Sequence, residues 1–185
     1  VRFLIARLFY NDALITIFAL GGVYAVEALD FSYTEILVLG VVLNVCACIG
    51  SFIFGRVEDK IGPKKTIEWS ILILIIAVQF AYLSPELDDI GFSKSLFWLA
   101  GILLGLMTGP SQSCSRSLMA RLTPKDKINE FFGFYAFTGK ATSFLGPFLF
   151  GILVYNFSPQ SGLLAVLGLF IIGYIVFQTV FKDKV

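Results

Sequence analysis

Three charged side chains interrupt apolar stretches of this sequence: Asp12, Arg116 and Lys140. A charge at the centre of a membrane helix costs about 2.5 to 3.5 kcal/mol on insertion scales, so each one needs a compensating role. Lys140 lies about 15 Å along a helix from Glu130, at 1.5 Å per residue, which places it near the bilayer midplane. A cation at that depth is suited to a substrate carboxylate or another anionic group.

Asp12 and Arg116 lie at similar depths on two different helices, so they could form a salt bridge. Two readings stay open beside it, since Arg116 could reach lipid headgroups and Asp12 could bind a coupled proton. Polar amides accompany both charges in the sequence. We therefore predict a substrate and ion pathway made of Asn11, Asp12, Gln112, Arg116 and Lys140.

The elements that must position these side chains are membrane helices. The chain is 57% hydrophobic with a mean hydropathy of +0.86, and charged residues make up only 15%, against about 25% in ordinary globular domains. A helix needs roughly 20 apolar residues to cross a bilayer. Six stretches qualify and predict an all-α polytopic protein with helices at 8–28, 35–54, 66–83, 96–120, 131–155 and 161–181.

Charge segregation between these stretches predicts the topology. Lysine and arginine collect at cytoplasmic loops of membrane proteins. One side of a six-helix bundle would carry Lys94 alone among several acids. The other side, with both termini, is therefore expected to be cytoplasmic, and it would carry Arg2, Arg7, Arg56, Lys60, Lys64, Lys65, Arg121, Lys125, Lys127, Lys182 and Lys184.

Glycine and proline spacing indicates how the helices pack. Gly101, Gly105 and Gly109 recur every four residues, which predicts a face that a neighbouring helix can approach closely. Gly146 and Pro147 predict a bend or hinge in the fifth helix, because proline removes a backbone donor. The third and sixth helices are almost wholly apolar, and we expect them to face lipid.

A basic, glycine-punctuated loop joins the second and third predicted helices. Its glycines permit tight turning, and the proline that follows suits the first position of a helix. The acid in it could latch onto another helix at an inner gate, whereas the plainer alternative is a loop that only sets topology. The predicted gating loop consists of Gly55, Asp59, Lys60, Gly62, Lys64 and Lys65.

This loop resembles the signature between the second and third helices of each half of the major facilitator superfamily. Lys60 replaces the more usual arginine, and Pro63 occupies a normally basic position. Residues 116–125, 130–142 and 145–147, together with residues 7–12, are similar to the vacuole-effluxer-like branch. The resemblance covers residues 1–185 as one domain. It implies the C-terminal six-helix half of a twelve-helix carrier, with the N-terminal half as its partner.

The function that follows is secondary active transport of a small polar solute by alternating access. The resemblance implies an amino acid or another carboxylate-bearing metabolite, because the branch is associated with amino-acid efflux from fungal vacuoles. The expected partners are the lipid bilayer, the solute, and a proton as candidate coupled ion. The plasma or inner membrane and the vacuolar membrane stay open as locations.

Two alternatives use the same features differently. One is a non-transporting membrane scaffold or receptor on the same fold. The other is an intramembrane hydrolase, which would need Ser113 or Ser115 to act with Lys140 as a dyad. The sequence has no histidine, and its three cysteines lack the spacing of a zinc site. We expect no enzyme, metal, cofactor or nucleic-acid partner.

Overall fold

The structure is a computed structural model that describes residues 1–180, apart from the side chains of residues 88–90. Over that range the elements are all helical, which confirms the all-α prediction. Phe181, at the end of the sixth predicted helix, and the tail lysines Lys182 and Lys184 lie outside the described residues. The α-helices are α1 (Arg2–Leu29), α2 (Tyr33–Leu83), α3 (Ser93–Leu122), α4 (Ile128–Ala141), α5 (Leu145–Asn156) and α6 (Gly162–Thr179), with short 3-10 helices at Ser84–Ile90, Lys125–Lys127 and Pro159–Ser161.

The helices do not match the six predicted spans one for one. Within residues 1–180, four helical stretches are long and apolar enough to cross a membrane: Arg2–Leu29, Tyr33–Leu87, Lys125–Asn156 and Pro159–Thr179. The second and third predicted helices lie within α2, and the fifth is divided into α4 and α5. The fourth predicted helix corresponds to α3. This helix is not one of the four candidate spans, because its second half is rich in polar side chains. The prediction of six separate spans is therefore not confirmed.

α2 reverses its direction at Gly62 instead of running straight. Gly62 has φ 82° and ψ 160°, a conformation open almost only to glycine, and Pro63 then begins the second arm. Ile36 from the first arm and Ala81 from the second line the same apolar cavity of about 120 Å³. The arms at 33–61 and 63–83 therefore lie antiparallel. Gly62 is the one residue of the predicted loop without helical geometry, and the others belong to the two arms of α2.

The glycine face of α3 packs against the first arm of α2. A methyl group on Gly105 would lie 2.8 Å from both Cβ of Cys46 and the carbonyl oxygen of Leu43. Gly109 is in equally close contact with Ser51. Of all pairs of elements, α2 and α3 share the most extensive contact. The predicted close approach is thus made between α3 and the first arm of α2.

The third and sixth predicted helices each bury one face in the bundle and leave exposed apolar side chains on the other, such as Ile76 and Ile175, so their contact with lipid stays a prediction. The second arm of α2 buries Thr66, Ile67, Ser70, Ile71, Leu74, Ala77, Val78 and Ala81, and α6 packs on α1 with Leu163, Val166, Phe170 and Phe177 buried. The first arm of α2 is also largely exposed. Lipid tails and a protein core are equally apolar, so hydropathy does not distinguish the two environments.

The turn between α1 and α2 is fixed by local capping and by one lysine. Ser32 and Glu35 form a capping box, in which the Ser32 N–H donates to Oε2 of Glu35 over 2.7 Å. Lys94, at the start of α3, donates to the carbonyl oxygen of Asp30 and forms a 3.2 Å ion pair with Glu35. These contacts join the ends of three helices on one side of the bundle.

The reversal at Gly62 leads to a prediction about stability. Gly62→Ala places a Cβ in a strained backbone conformation, which costs of order 1–3 kcal/mol. Gly55→Ala is the matched control, because a Cβ there meets nothing within 4 Å. We expect Gly62→Ala to lower the midpoint of thermal unfolding of the detergent-solubilised full-length carrier, and Gly55→Ala to leave it unchanged or raise it, because alanine is the better helix former. Equal midpoints for the two variants would contradict the strained turn.

Candidate solute-binding cleft

A cleft of about 630 Å³ lies between α1, α3 and α4, near the end of the bundle where α1 begins and α3 ends. It brings together four of the five predicted pathway residues. Helix α1 supplies Asn11, α3 supplies Gln112 and Arg116, and α4 supplies Lys140. The remaining lining residues are Arg7, Ile15, Phe132, Tyr135, Ala136 and Gly139.

The lining of the cleft is cationic. Arg7, Arg116 and Lys140 contribute three positive charges, and no carboxylate is among the described residues that line it. Arg116 and Lys140 are exposed to the cleft, and neither side chain makes an ion pair or hydrogen bond within residues 1–180. Their charges are therefore available to a ligand.

Amide groups connect the three walls of the cleft. The side-chain amide of Gln112 donates to Oδ1 of Asn11 over 3.0 Å, and Asn11 donates to the carbonyl oxygen of Gly139 over 3.3 Å. These two bonds link α3 to α1 and α1 to α4. Asn11 therefore holds the walls together while its side chain lines the cleft.

Arg7 is a cleft residue that the sequence analysis missed. It is only 6% exposed, donates to the carbonyl oxygen of Tyr135 over 3.0 Å, and places its guanidinium 3.6 Å from the centre of the Tyr135 ring. Its basic character and position near the end of a helix led us to treat it as a topology signal. Its spacing of four residues from Asn11, which puts both on one helix face, could have identified it.

Asp12 does not line the cleft, and the salt bridge with Arg116, one of the readings that the sequence left open, is not formed among residues 1–180. The side chain is buried, with residue exposure of 1%, and its Oδ2 accepts a 2.8 Å hydrogen bond from the backbone N–H of Gly146. Gly146 is the second residue of α5, whose N–H has no partner within its own helix. The carboxylate thus caps α5, and the adjacent residue Asn11 points to the cleft instead.

Two polar side chains of α1 bond to backbone groups at the break between α4 and α5. Helices leave their last carbonyls and first N–H groups unsatisfied, which is costly away from water. Asn11 and Asp12 satisfy two of these groups, the carbonyl of Gly139 and the N–H of Gly146, and Pro147 removes one donor altogether. At the start of α5, the N–H of Leu145 donates to the carbonyl oxygen of Thr142, that of Gly146 to Asp12, and that of Phe148 to the carbonyl oxygen of Phe144. In α4, the carbonyl oxygens of Tyr135 and Gly139 accept from Arg7 and Asn11.

The serine and lysine dyad of the hydrolase alternative is not assembled. Ser115 is buried, lies 2.7 Å from the Tyr10 hydroxyl and donates to the carbonyl oxygen of Ser111. Ser113 donates to the carbonyl oxygen of Pro110 over 3.3 Å. Neither serine is among the residues that line the cleft with Lys140. Among residues 1–180 no group of histidine, cysteine, aspartate and glutamate side chains could hold a metal ion.

In the predicted gating loop, the acid that contacts another helix is Glu58 and not Asp59. Oε2 of Glu58 accepts from the Cys114 thiol over 3.1 Å, and Oε1 lies 3.9 Å from a guanidinium nitrogen of Arg121. Asp59, Lys60 and Lys65 are exposed. The latch role of Asp59 stays a prediction, and sequence reasoning missed Glu58 because only burial distinguishes the two neighbouring acids.

These features define a class: an all-helical membrane protein with apolar spans, an interrupted helix and a polar cleft beside the interruption. Residues 1–184 match the family model described as vacuole effluxer Atg22 like. The chain therefore belongs to this transporter family.

Curated relatives agree with that assignment. The chain is 31% identical over 175 residues to the uncharacterized MFS-type transporter YxiO of Bacillus subtilis (strain 168), covering 94% of this chain and 39% of the relative. It is 28% identical over 161 residues to autophagy-related protein 22 of Cryptococcus neoformans var. neoformans serotype D, covering 82% of this chain and 28% of that protein. A comparison with solved structures finds no significant match.

The adjacent acids Glu58 and Asp59 lead to a second prediction. Glu58→Ala leaves the Cys114 thiol without its acceptor and removes a partly screened ion pair, at a cost of about 1 kcal/mol. Asp59→Ala is the matched control and should change stability by less than about 0.5 kcal/mol. Urea titration of the two detergent-solubilised full-length variants measures the difference in their free energies of unfolding. A larger loss in Asp59→Ala would show that the half-buried Glu58 is not the acid that holds α2 to α3.

Proposed function

We propose that the complete carrier containing this chain moves a small carboxylate-bearing solute across a membrane by alternating access. In this proposal the cleft between α1, α3 and α4 binds the carboxylate of the solute. The observation that carries the proposal is the imbalance of charge in the cleft, where three cations meet no carboxylate among the described lining residues. A cluster of cations is stabilised by an anionic ligand.

The three cations have different parts in this proposal. Arg7 already donates to the backbone of Tyr135 and stacks on its ring, so it fixes the wall of the cleft. Arg116 and Lys140 stand on α3 and α4 without ion pairs in the described part of the chain. A carboxylate between them would receive one charge-assisted hydrogen bond from each side of the cleft.

Membership of a transporter family supports movement of the solute as well as binding. The chain spans between 28% and 39% of the length of the two relatives described above, so a further part of the carrier is proposed to cover the open side of the cleft. Rocking of that part against this bundle would expose the cleft to each side of the membrane in turn. We further propose that both ends of this bundle's chain lie in the cytoplasm, as the distribution of basic residues indicates.

Uptake by proteoliposomes of the full-length carrier tests the proposal. Three radiolabelled probes are compared. Alanine carries one amine and one carboxylate, succinate carries two carboxylates, and putrescine carries two amines. We expect saturable uptake of at least one carboxylate probe and none of putrescine above empty liposomes. Uptake of putrescine alone, or of no probe, would contradict a carboxylate-binding cleft.

Substitutions in the cleft give a third prediction. Arg116→Gln and Lys140→Gln each remove one charge-assisted hydrogen bond, worth about 1.5–3 kcal/mol, which corresponds to roughly 10- to 100-fold in KM for the transported probe. Lys125→Gln is the matched control, because it removes an exposed cation from the turn after α3. KM measured in the same uptake assay should rise for the two cleft variants and not for the control. Equal KM values for all three would remove Arg116 and Lys140 from the binding site.

A further inference from the structure

We propose that Asp12 is a proton-binding site of the carrier, and that its protonation state controls how firmly the start of α5 is held against α1. This inference rests on the proposed transport function for its role in coupling. The site itself is a separate feature of the molecule, because Asp12 does not line the cationic cleft.

The geometry of the carboxylate is the first support. Asp12 is 1% exposed, and one of its two oxygens, Oδ2, accepts the N–H of Gly146. The other oxygen, Oδ1, is buried and has no hydrogen-bond partner among residues 1–180. A buried carboxylate oxygen without a partner is costly, and a bound proton removes the charge that makes it so.

The surroundings of Asp12 favour a proton over a metal ion. The hydroxyl of Thr16 donates to the backbone oxygen of Asp12 over 2.7 Å, so its proton is already directed there. The same hydroxyl lies in close contact with Gly146, and Leu169 of α6 packs beside it at 3.2 Å from the position of a Gly146 Cβ. Metal ions such as Mg²⁺ and Ca²⁺ require several oxygen ligands, whereas a proton requires one lone pair.

No other ionisable side chain neutralises Asp12 in the described part of the chain. Within residues 1–180 its carboxylate makes no ion pair, and its one bond is to a backbone amide. Within the described residues, the charge at this position therefore depends on whether Asp12 itself is protonated. The charged and titratable groups on the elements around it are Arg7 and Tyr10 on α1, Arg116 on α3, Glu130, Tyr135 and Lys140 on α4, Tyr155 on α5 and Tyr174 on α6.

Proton binding at Oδ1 would change the hold on α5 in a defined direction. The ionised carboxylate makes a charge-assisted bond to Gly146 and faces the positive end of the α5 helix dipole. A proton from water on one side of the membrane binds Oδ1, the charge is lost, and the bond to Gly146 weakens to a neutral one. When the proton leaves to the other side, the stronger hold returns, and no covalent bond except O–H is made or broken.

Helix α1 connects this site to the cleft. Asn11 immediately precedes Asp12, and it bonds to Gln112 and to Gly139, the residue next to Lys140. A shift of α5 and the end of α4 relative to α1 therefore alters the spacing of the cleft walls. This contiguous set of contacts provides the route by which proton binding and solute binding affect each other.

An infrared pH titration tests the proton site without any solute. The sample is the full-length carrier in lipid, as wild type, Asp12→Asn and Asp126→Asn, the last being an exposed aspartate in the turn after α3. We expect a protonated-carboxyl band that titrates in wild type and Asp126→Asn and is missing in Asp12→Asn. An identical set of carboxyl bands in all three proteins would overturn the proposal.

Hydrogen exchange tests the effect on α5. After correction for the intrinsic pH dependence of exchange, we expect peptides that cover residues 143–150 to exchange at least about 10-fold faster when wild type is acidified through the titration, a change that corresponds to about 1.4 kcal/mol. Asp12→Asn keeps an acceptor oxygen but has no charge to lose, so its exchange should not respond to that titration. A response in Asp12→Asn equal to wild type would overturn the control of α5 by Asp12.

Transport separates this proposal from the preceding one. With the carboxylate probe taken up by wild type, Asp12→Asn should retain exchange of labelled for unlabelled probe and lose accumulation driven by a pH gradient. Full accumulation in Asp12→Asn would overturn the coupling role. Absence of carboxylate uptake by wild type would contradict the proposed solute, while the infrared and exchange results would still decide whether Asp12 binds the proton.

Discussion

The fold depends on how backbone groups are satisfied where a helix is interrupted away from water. Between Ala141 and Leu145 the chain leaves the helical path, and the N–H and carbonyl groups freed there cannot turn to lipid. Helix α1 supplies partners for two of them, since Asn11 donates to the carbonyl oxygen of Gly139 and Asp12 accepts from the N–H of Gly146. One interruption thus accounts for two adjacent polar residues, Asn11 and Asp12, in a largely apolar helix.

The same arrangement separates charges that are close in sequence. Asn11 and Asp12 are adjacent, yet one lines the cleft and the other lies behind it on the start of α5. Cations and amides line the cleft, whereas the carboxylate of Asp12 contacts the N-terminus of α5. The two chemical tasks that we propose, holding a carboxylate and holding a proton, are therefore placed on neighbouring faces of one helix, where movement of that helix affects both.

Much of the local structure could be predicted from the residues. Apolar length predicted helices, Gly62 and Pro63 predicted a sharp turn, and the Gly101, Gly105 and Gly109 spacing predicted a close helix contact. What the residues could not predict is which groups are partners. The salt bridge between Asp12 and Arg116, one of the readings that the sequence left open, is not formed, because sequence shows neither the distance between helices nor the direction of a face.

The sequence by itself determined that this chain is helical, suited to a membrane, and polar at a few fixed depths, since length, hydropathy and charge are local properties. It also carried the motifs of a transporter family. Only the tertiary structure decided which polar groups meet. Burial distinguishes Glu58 from Asp59, and backbone demand at the α4 to α5 break directs Asp12 to Gly146. The physical reason is that apolar side chains pack equally well in lipid and in protein, so position is settled by hydrogen bonds and close packing between helices.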